Sequence, residues 1–444
     1  MREYKIIYDP VHGTVKMETV LLDLLSTPEL NRLNRIKQLG LTYLVFPGAH
    51  HTRFEHSLGT SHVAGMLGRE MELKDSEIAL VQSAALLHDL GHGPFSHTLE
   101  KVIHDRTGKD HMEITKDIIT GNYDMATDLG AGNSATVPEV LEKHGLNPKE
   151  VADLVCTQKP SLHPQQEKLT IQDGQSYFPS KTYLYQIIHS ALDADQLDFL
   201  LRDSKYTGVA FGIIDLDRIV QTAVRYHGQL MIHKRGISAL EGMLVARSLM
   251  YSSVYFHKTA RIAESMLVRA AEHLEEEKME EMWRFTDCEA ISTLSEEEGI
   301  PEDITKRLLL RRLFKSALRI GSEELVGESE RSGSLKEMIK MLSDDRERER
   351  TEKEICRKAQ VPDGYVILDV PDPSLTLSEP RLRRTDVKVY GETVEPLSRI
   401  SGLARALHYR PAIPWCLMIS CPENKREEVQ KIGGKLIEER ISRR

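Results

Sequence analysis

The feature that most restricts this chain is one run, Leu86-Leu87-His88-Asp89-Leu90-Gly91-His92-Gly93-Pro94. An apolar helical stretch (Ile78, Leu80, Val81, Ala84, Ala85, Leu86, Leu87) ends on a His-Asp pair, and two glycines and a proline then stop it. The pattern predicts a helix C-terminus running into a tight turn, with His88 and Asp89 aimed at one point and His92 beside them. Nine of the eighteen histidines lie between residues 50 and 111. Imidazole is the commonest protein metal ligand and the usual acid or base near neutral pH. A lone His-Asp pair is better explained as a buried structural contact, but this one has company. His56 sits on a predicted helix beginning at Arg53, and Asp193, Asp195 and Asp198 open another downstream. Imidazoles and aspartates from three helices make a mixed nitrogen–oxygen set suited to Mn, Fe, Co, Zn or Mg.

The rest of the chain reads as mainly α. Residues 4–20 predict a β-hairpin around Asp9-Pro10-Val11-His12-Gly13. Thr27-Pro28 predicts an N-cap and first helical residue, the helix continuing to Lys37 before Gly40. Helical periodicity follows over 56–72, 76–89, 96–104, 111–120, 137–157, 193–205, 214–226 and 237–272, with loops at 121–136 and 158–181. Residues 273–360 predict a charged helical extension, and 361–444 a small α+β domain. Its strands are expected at 365–370, 386–390 and 415–421, its helices around 397–408 and 425–441.

Composition removes several classes. The 68 Asp and Glu outweigh 59 Lys and Arg, a net charge of −9 that argues against a dedicated nucleic-acid coat protein. Arg381, Arg383, Arg384 and Lys388 still form a local basic patch, so a nucleic-acid partner is not expected but stays an alternative. No apolar run approaches the ~18 residues of a membrane span. Five cysteines without a CxxC pair imply neither a disulfide framework nor a thiolate zinc site. The charged start Met1-Arg2-Glu3-Tyr4-Lys5 does not read as a signal peptide, so a cytoplasmic location is expected.

The order His56, His88-Asp89, Asp195 resembles the HD superfamily of metal-dependent phosphohydrolases. A wider string is more specific: Arg35 to Gly40, Phe46 to Gly59 (including His50-His51-Thr52-Arg53-Phe54-Glu55-His56) and His88 to His97. Together these are similar to the deoxynucleoside triphosphate triphosphohydrolase branch, including the animal enzymes that join a SAM domain to the HD domain, with no counterpart of the SAM domain here. The resemblance covers roughly 4–272. It implies an HD-domain helical core over 1–272, one divalent metal on His56, His88, Asp89 and Asp195, and conversion of dNTP and water to deoxynucleoside and triphosphate.

Further roles come from the resemblance alone. His92, His97 and His111 line the phosphates, with His97 as proton donor to the leaving oxygen and Glu100 orienting it. Gln38 and Leu39 flank sugar and base, Arg53 and Arg247 meet phosphate, and Asp203 reads the 3′-hydroxyl. Tyr251 and Tyr255 line the pocket, Tyr255 near C2′. Gln196 and Phe199 stand where the family has a phosphate lysine and a sugar-side tyrosine, and Ser26, Asn31 and Asn34 where guanine-reading residues stand. Lys5 keeps one activator phosphate contact. A homo-oligomer, dimer or tetramer, and a nucleotide activator are implied. The alternatives are another HD phosphohydrolase or phosphodiesterase, and a nucleotide sensor or nucleic-acid-binding protein.

Overall fold

The computed structural model describes residues 4–156, 181–325, 330–371, 387–408 and 414–442. Most of loop 158–181 and the arginines of the basic patch lie outside the described residues. Mainly helical architecture holds, with three small sheets among the described residues.

The centre is a pair of helices, Arg53–Glu70 and Asp75–Leu87, packed side by side and crossed by Ala194–Thr207. Thr52 and Glu55 form a reciprocal capping box that fixes the first helix's start. Its middle carries Gly59, where a Cβ would stand 1.9 Å from an Asp198 carboxylate oxygen and 2.3 Å from Arg202. Only a residue without a side chain lets the third helix lie this close. The same reasoning holds at Gly91, whose Cβ would come within 2.1 Å of the His111 carbonyl. That contact seats helix His111–Thr120 against the turn after His88.

The N-terminal hairpin pairs Tyr4–Asp9 with Gly13–Glu18. The expected helix from Pro28 stops at Arg32 and tightens into a 3-10 turn over Leu33–Arg35. The expected 137–157 helix is two, Val137–Lys143 and Pro148–Cys156, separated where Gly145 takes a positive φ. The expected 214–226 helix ends at Gln221. Ala223–Tyr226 and Gln229–His233 form a hairpin instead, because His227 and Gly228 both adopt positive φ, the geometry of a tight two-residue turn. The long 237–272 helix is interrupted by a π-helical turn at Tyr251–Tyr255 before resuming at Lys258.

Strand pairings run across the expected boundary at 272. Lys388–Tyr390 lies parallel to Gln229–His233, and Val394–Pro396 closes that sheet's edge. Val389, Leu397 and Ala404 join the main hydrophobic core of the N-terminal helices. The boundary at 360 is crossed as well. Lys315–Gly321, an unexpected strand, pairs with Trp415–Cys421, which also takes Ile367–Asp369 on its other side. All seven residues of that central strand are buried, which accounts for its apolar run over 415–419.

Candidate metal centre and active site

His56 and His88 meet at the mouth of the helix pair, their rings 5.1 Å apart and edge to face. Asp195 Oδ1 lies 3.1 Å from His56 Nε2 and 4.0 Å from His88 Nε2. One ligand atom from each of these three residues lies within 4.8 Å of the others, a span a single cation can fill. Asp89 borders the same space, with Oδ1 3.3 Å from His88 Nε2, while its Oδ2 is held by Arg53 at 2.5 Å.

Both imidazoles are oriented from behind. His88 Nδ1 donates to the Ala85 carbonyl (2.8 Å) and His56 Nδ1 to Asp198 Oδ2 (2.8 Å), so each presents Nε2 to the shared space. Burial disfavours charge on His56, yet its hydrogen bonds to Asp195 and Asp198 outweigh this and push its pKa up to about 10. The site is thus built to favour positive charge there, and a divalent cation would compete with that proton. On donor chemistry and orientation, the residues fit a divalent metal.

Beside this cup lies a second cluster. His92 stacks on His111 with ring centroids 4.2 Å apart, and His97 stands edge-on to His92 at 4.9 Å. Glu100 bridges them, accepting from His97 Nδ1 at 2.8 Å and from His111 Nδ1. Burial opposes the Glu100 charge, but the two imidazoles hold its carboxyl well below the usual range. His92 is buried, and burial together with Arg53 and His111 keeps it neutral. His97, by contrast, has a side chain 70% exposed.

The turn carrying these groups is clamped from outside the helix pair. Arg32 gives Nη1 to the carbonyls of Leu90 and His92, and its remaining nitrogens to those of Trp283, Arg284 and Phe285. Asp287 accepts the Phe95 and Lys37 backbone N–H groups at 2.8 and 3.0 Å. Between these anchors Phe95 and Ser96 adopt positive φ, a conformation costly for non-glycine residues.

The expected substrate residues form a third group. Asp203 accepts from His51 Nε2 and from the Tyr255 hydroxyl, each at 2.7 Å. Burial and Asp203 raise the Tyr255 phenol, which keeps its proton to donate. Phe199 and Tyr251 stand edge-on to Tyr255 at 6.0 and 5.0 Å. The π-helical turn is what gathers Tyr251 and Tyr255 onto this wall. Arg247 is buried and donates to Gln196 Oε1 at 2.6 Å. Arg53 donates to Ser96 Oγ as well as to Asp89. The buried Gln38 Oε1 meets no hydrogen-bond partner among the described residues, and Leu39 beside it is half-buried.

Sequence reasoning missed His51, although it lies inside the histidine-rich stretch. It also missed Lys109 and Trp283, which line the cavity beside His92, Glu100 and His111. No local spacing signals Trp283, which arrives from another part of the chain.

Comparison with known proteins agrees with this architecture. Residues 53–158 match the HD domain and residues 214–440 the HD associated region. The uncharacterized protein YwfO of Bacillus subtilis is 33% identical over 76% of this chain and 77% of its own. The deoxynucleoside triphosphate triphosphohydrolase SAMHD1 of Bos taurus is 31% identical over 61% of this chain; the match spans only 48% of the animal protein. A solved phosphohydrolase from Bacteroides thetaiotaomicron superposes with a TM-score of 0.66 at 25% identity, covering 94% of this chain and all of that one. Fold and site together define an HD-type phosphohydrolase. The chain belongs to the HD superfamily.

Proposed function

We propose that this protein is a metal-dependent dNTP triphosphohydrolase. The observation that carries the reading is the Glu100-bridged histidine set standing directly beside the His56–His88–Asp195 cup. His56, His88, Asp89 and Asp195 would hold a divalent cation, which would supply Lewis-acid polarisation of the α-phosphate. Water attacks the α-phosphorus, the bond to O5′ breaks, and deoxynucleoside and triphosphate leave. His97 donates the proton that O5′ acquires, and Glu100 orients both His97 and His111 for the phosphates. The neutral, buried His92 packs under them as a hydrogen-bonding wall. Asp203, held by His51 and Tyr255, faces the sugar's 3′-hydroxyl, and the Tyr255 ring fills the space a 2′-hydroxyl needs. Product analysis tests this: each dNTP and NTP is incubated with Mn, Mg or Co and the products separated. Metal-dependent deoxynucleoside plus intact triphosphate is expected. Monophosphate plus pyrophosphate, or no turnover with any triphosphate or mixture, moves the assignment to another HD phosphohydrolase or to a sensor.

A nucleotide activator belongs to the same proposal. Its support is a second cavity of about 310 Å³ lined by Lys258, Arg311, Lys315 and Arg426, cationic chemistry that suits a polyphosphate. Lys5, expected to meet an activator phosphate, lies on the N-terminal hairpin and does not line this cavity. A homo-oligomeric state is supported by the exposed apolar row Tyr4, Ile6 and Tyr8 on the hairpin. Cytoplasmic location completes the reading.

A further inference from the structure

The N-terminal hairpin lies outside the residues that match the HD domain, yet it reaches the back of the metal cup. His12 Nε2 stands 2.6 Å from Asp198 Oδ1. Asp198 is wholly buried and also accepts from Arg202 Nε and Nη2 at 2.8 and 2.9 Å and from His56 Nδ1 at 2.8 Å. A carboxylate taking four charge-assisted or imidazole hydrogen bonds has no freedom to rotate. His12 is itself aimed from the turn: Asp9 Oδ1 accepts the backbone N–H groups of Val11 and His12 at 2.8 Å each. The other Asp9 oxygen accepts from Arg202 Nη1 at 2.9 Å. The hairpin tip therefore bolts both partners of the pair that orients His56.

We infer that the N-terminal hairpin is a working part of the metal centre, with His12 as a positioning residue that locks Asp198 and, through it, the Nε2 of His56. This rests on the reading of His56 as a metal ligand. Asp198 demands a donor, so His12 carries its proton on Nε2 and gives it to Oδ1. Without that bond, Asp198 can swing toward Arg202 alone and release the His56 ring. Partners that orient a ligating histidine typically govern affinity by about 10–100-fold.

The test compares His12→Met and His12→Gln, two side chains of similar volume of which only glutamine can donate to Asp198. Mn2+ binding to the full chain is measured by titration calorimetry, alongside wild type and His56→Ala, with thermal melting of each protein before metal addition. His12→Met is expected to weaken Mn2+ about 10–100-fold, while His12→Gln stays close to wild type although both melt at similar temperatures. Equal affinities in the two variants, whether both strong or both weak, overturn the proposal, since packing alone would then account for His12. His56→Ala separates the two levels of argument. If it binds Mn2+ like wild type, the ligand assignment itself has failed and the inference falls with it.

Discussion

The metal cup and the histidine cluster next to it stand a few ångströms apart and are built on opposite plans. In the cup, His56 and Asp198 are almost fully buried and their hydrogen-bonding atoms are engaged before any ligand arrives. In the cluster, His97 projects into solvent, hydrogen-bonded to Glu100 and edge-on to His92. The contrast follows from the tasks proposed for each. A cation needs donors fixed within tenths of an ångström, and a saturated, dry surround supplies that. A proton donor must exchange with water between turnovers, so exposure serves it.

Three variants break or sharpen this contrast, from the largest effect down. His88→Ala with Asp89→Ala is expected to remove bound metal, read by metal analysis, and to reduce turnover to background. Circular dichroism should stay near wild type, because the helix pair is held by its apolar face. His97→Ala is expected to lower kcat by about 10²–10⁴-fold while metal content is unchanged; coupled loss of metal would show that the two clusters are not separable. Glu100→Gln acts through the imidazoles, so a smaller loss of kcat is expected, with KM nearly constant. Kinetics at saturating dNTP read this directly.

A fourth prediction concerns packing behind the cup. Gly59→Ala must displace Asp198 or Arg202, since its Cβ would lie 1.9 Å from the carboxylate. Overpacking of this kind costs about 1–3 kcal/mol, visible as a lower denaturation midpoint accompanied by weaker metal binding.

The sequence made the front of the cup legible, because His88-Asp89 and the turn that follows are contiguous and the chemistry of the residues is distinctive. The back of the cup was hidden for a physical reason. His12 and Asp198 are separated by 186 positions, and no periodicity or spacing reports a contact of that range. Asp198 was visible only as one of three aspartates at a helix start, and which of them faces the cup depends on helix rotation. Other misses had signals that were outvoted. His227-Gly228 is a hairpin turn hidden behind a helical pattern, and Gly145 to Pro148 carries ordinary helix-break residues. The strand at Lys315–Gly321 buries Ala317 and Ile320, three apart because its pairing register shifts, so it lacks strand alternation, and its partner lies about 100 residues away.

The parallel pairing of Lys388–Tyr390 with Gln229–His233 bears on the order in which the molecule is made. Helix Ile237–Met250 carries Arg247, and its outer side is covered by residues 402–408, with Ser401 bonded to Glu241. During synthesis the helices that carry His56, His88 and Asp195 emerge before residues 402–408 and can collapse on local contacts before this cover is made. The nascent chain therefore passes through a stage in which the proposed ligand set can assemble while the outer side of helix Ile237–Met250 is still bare.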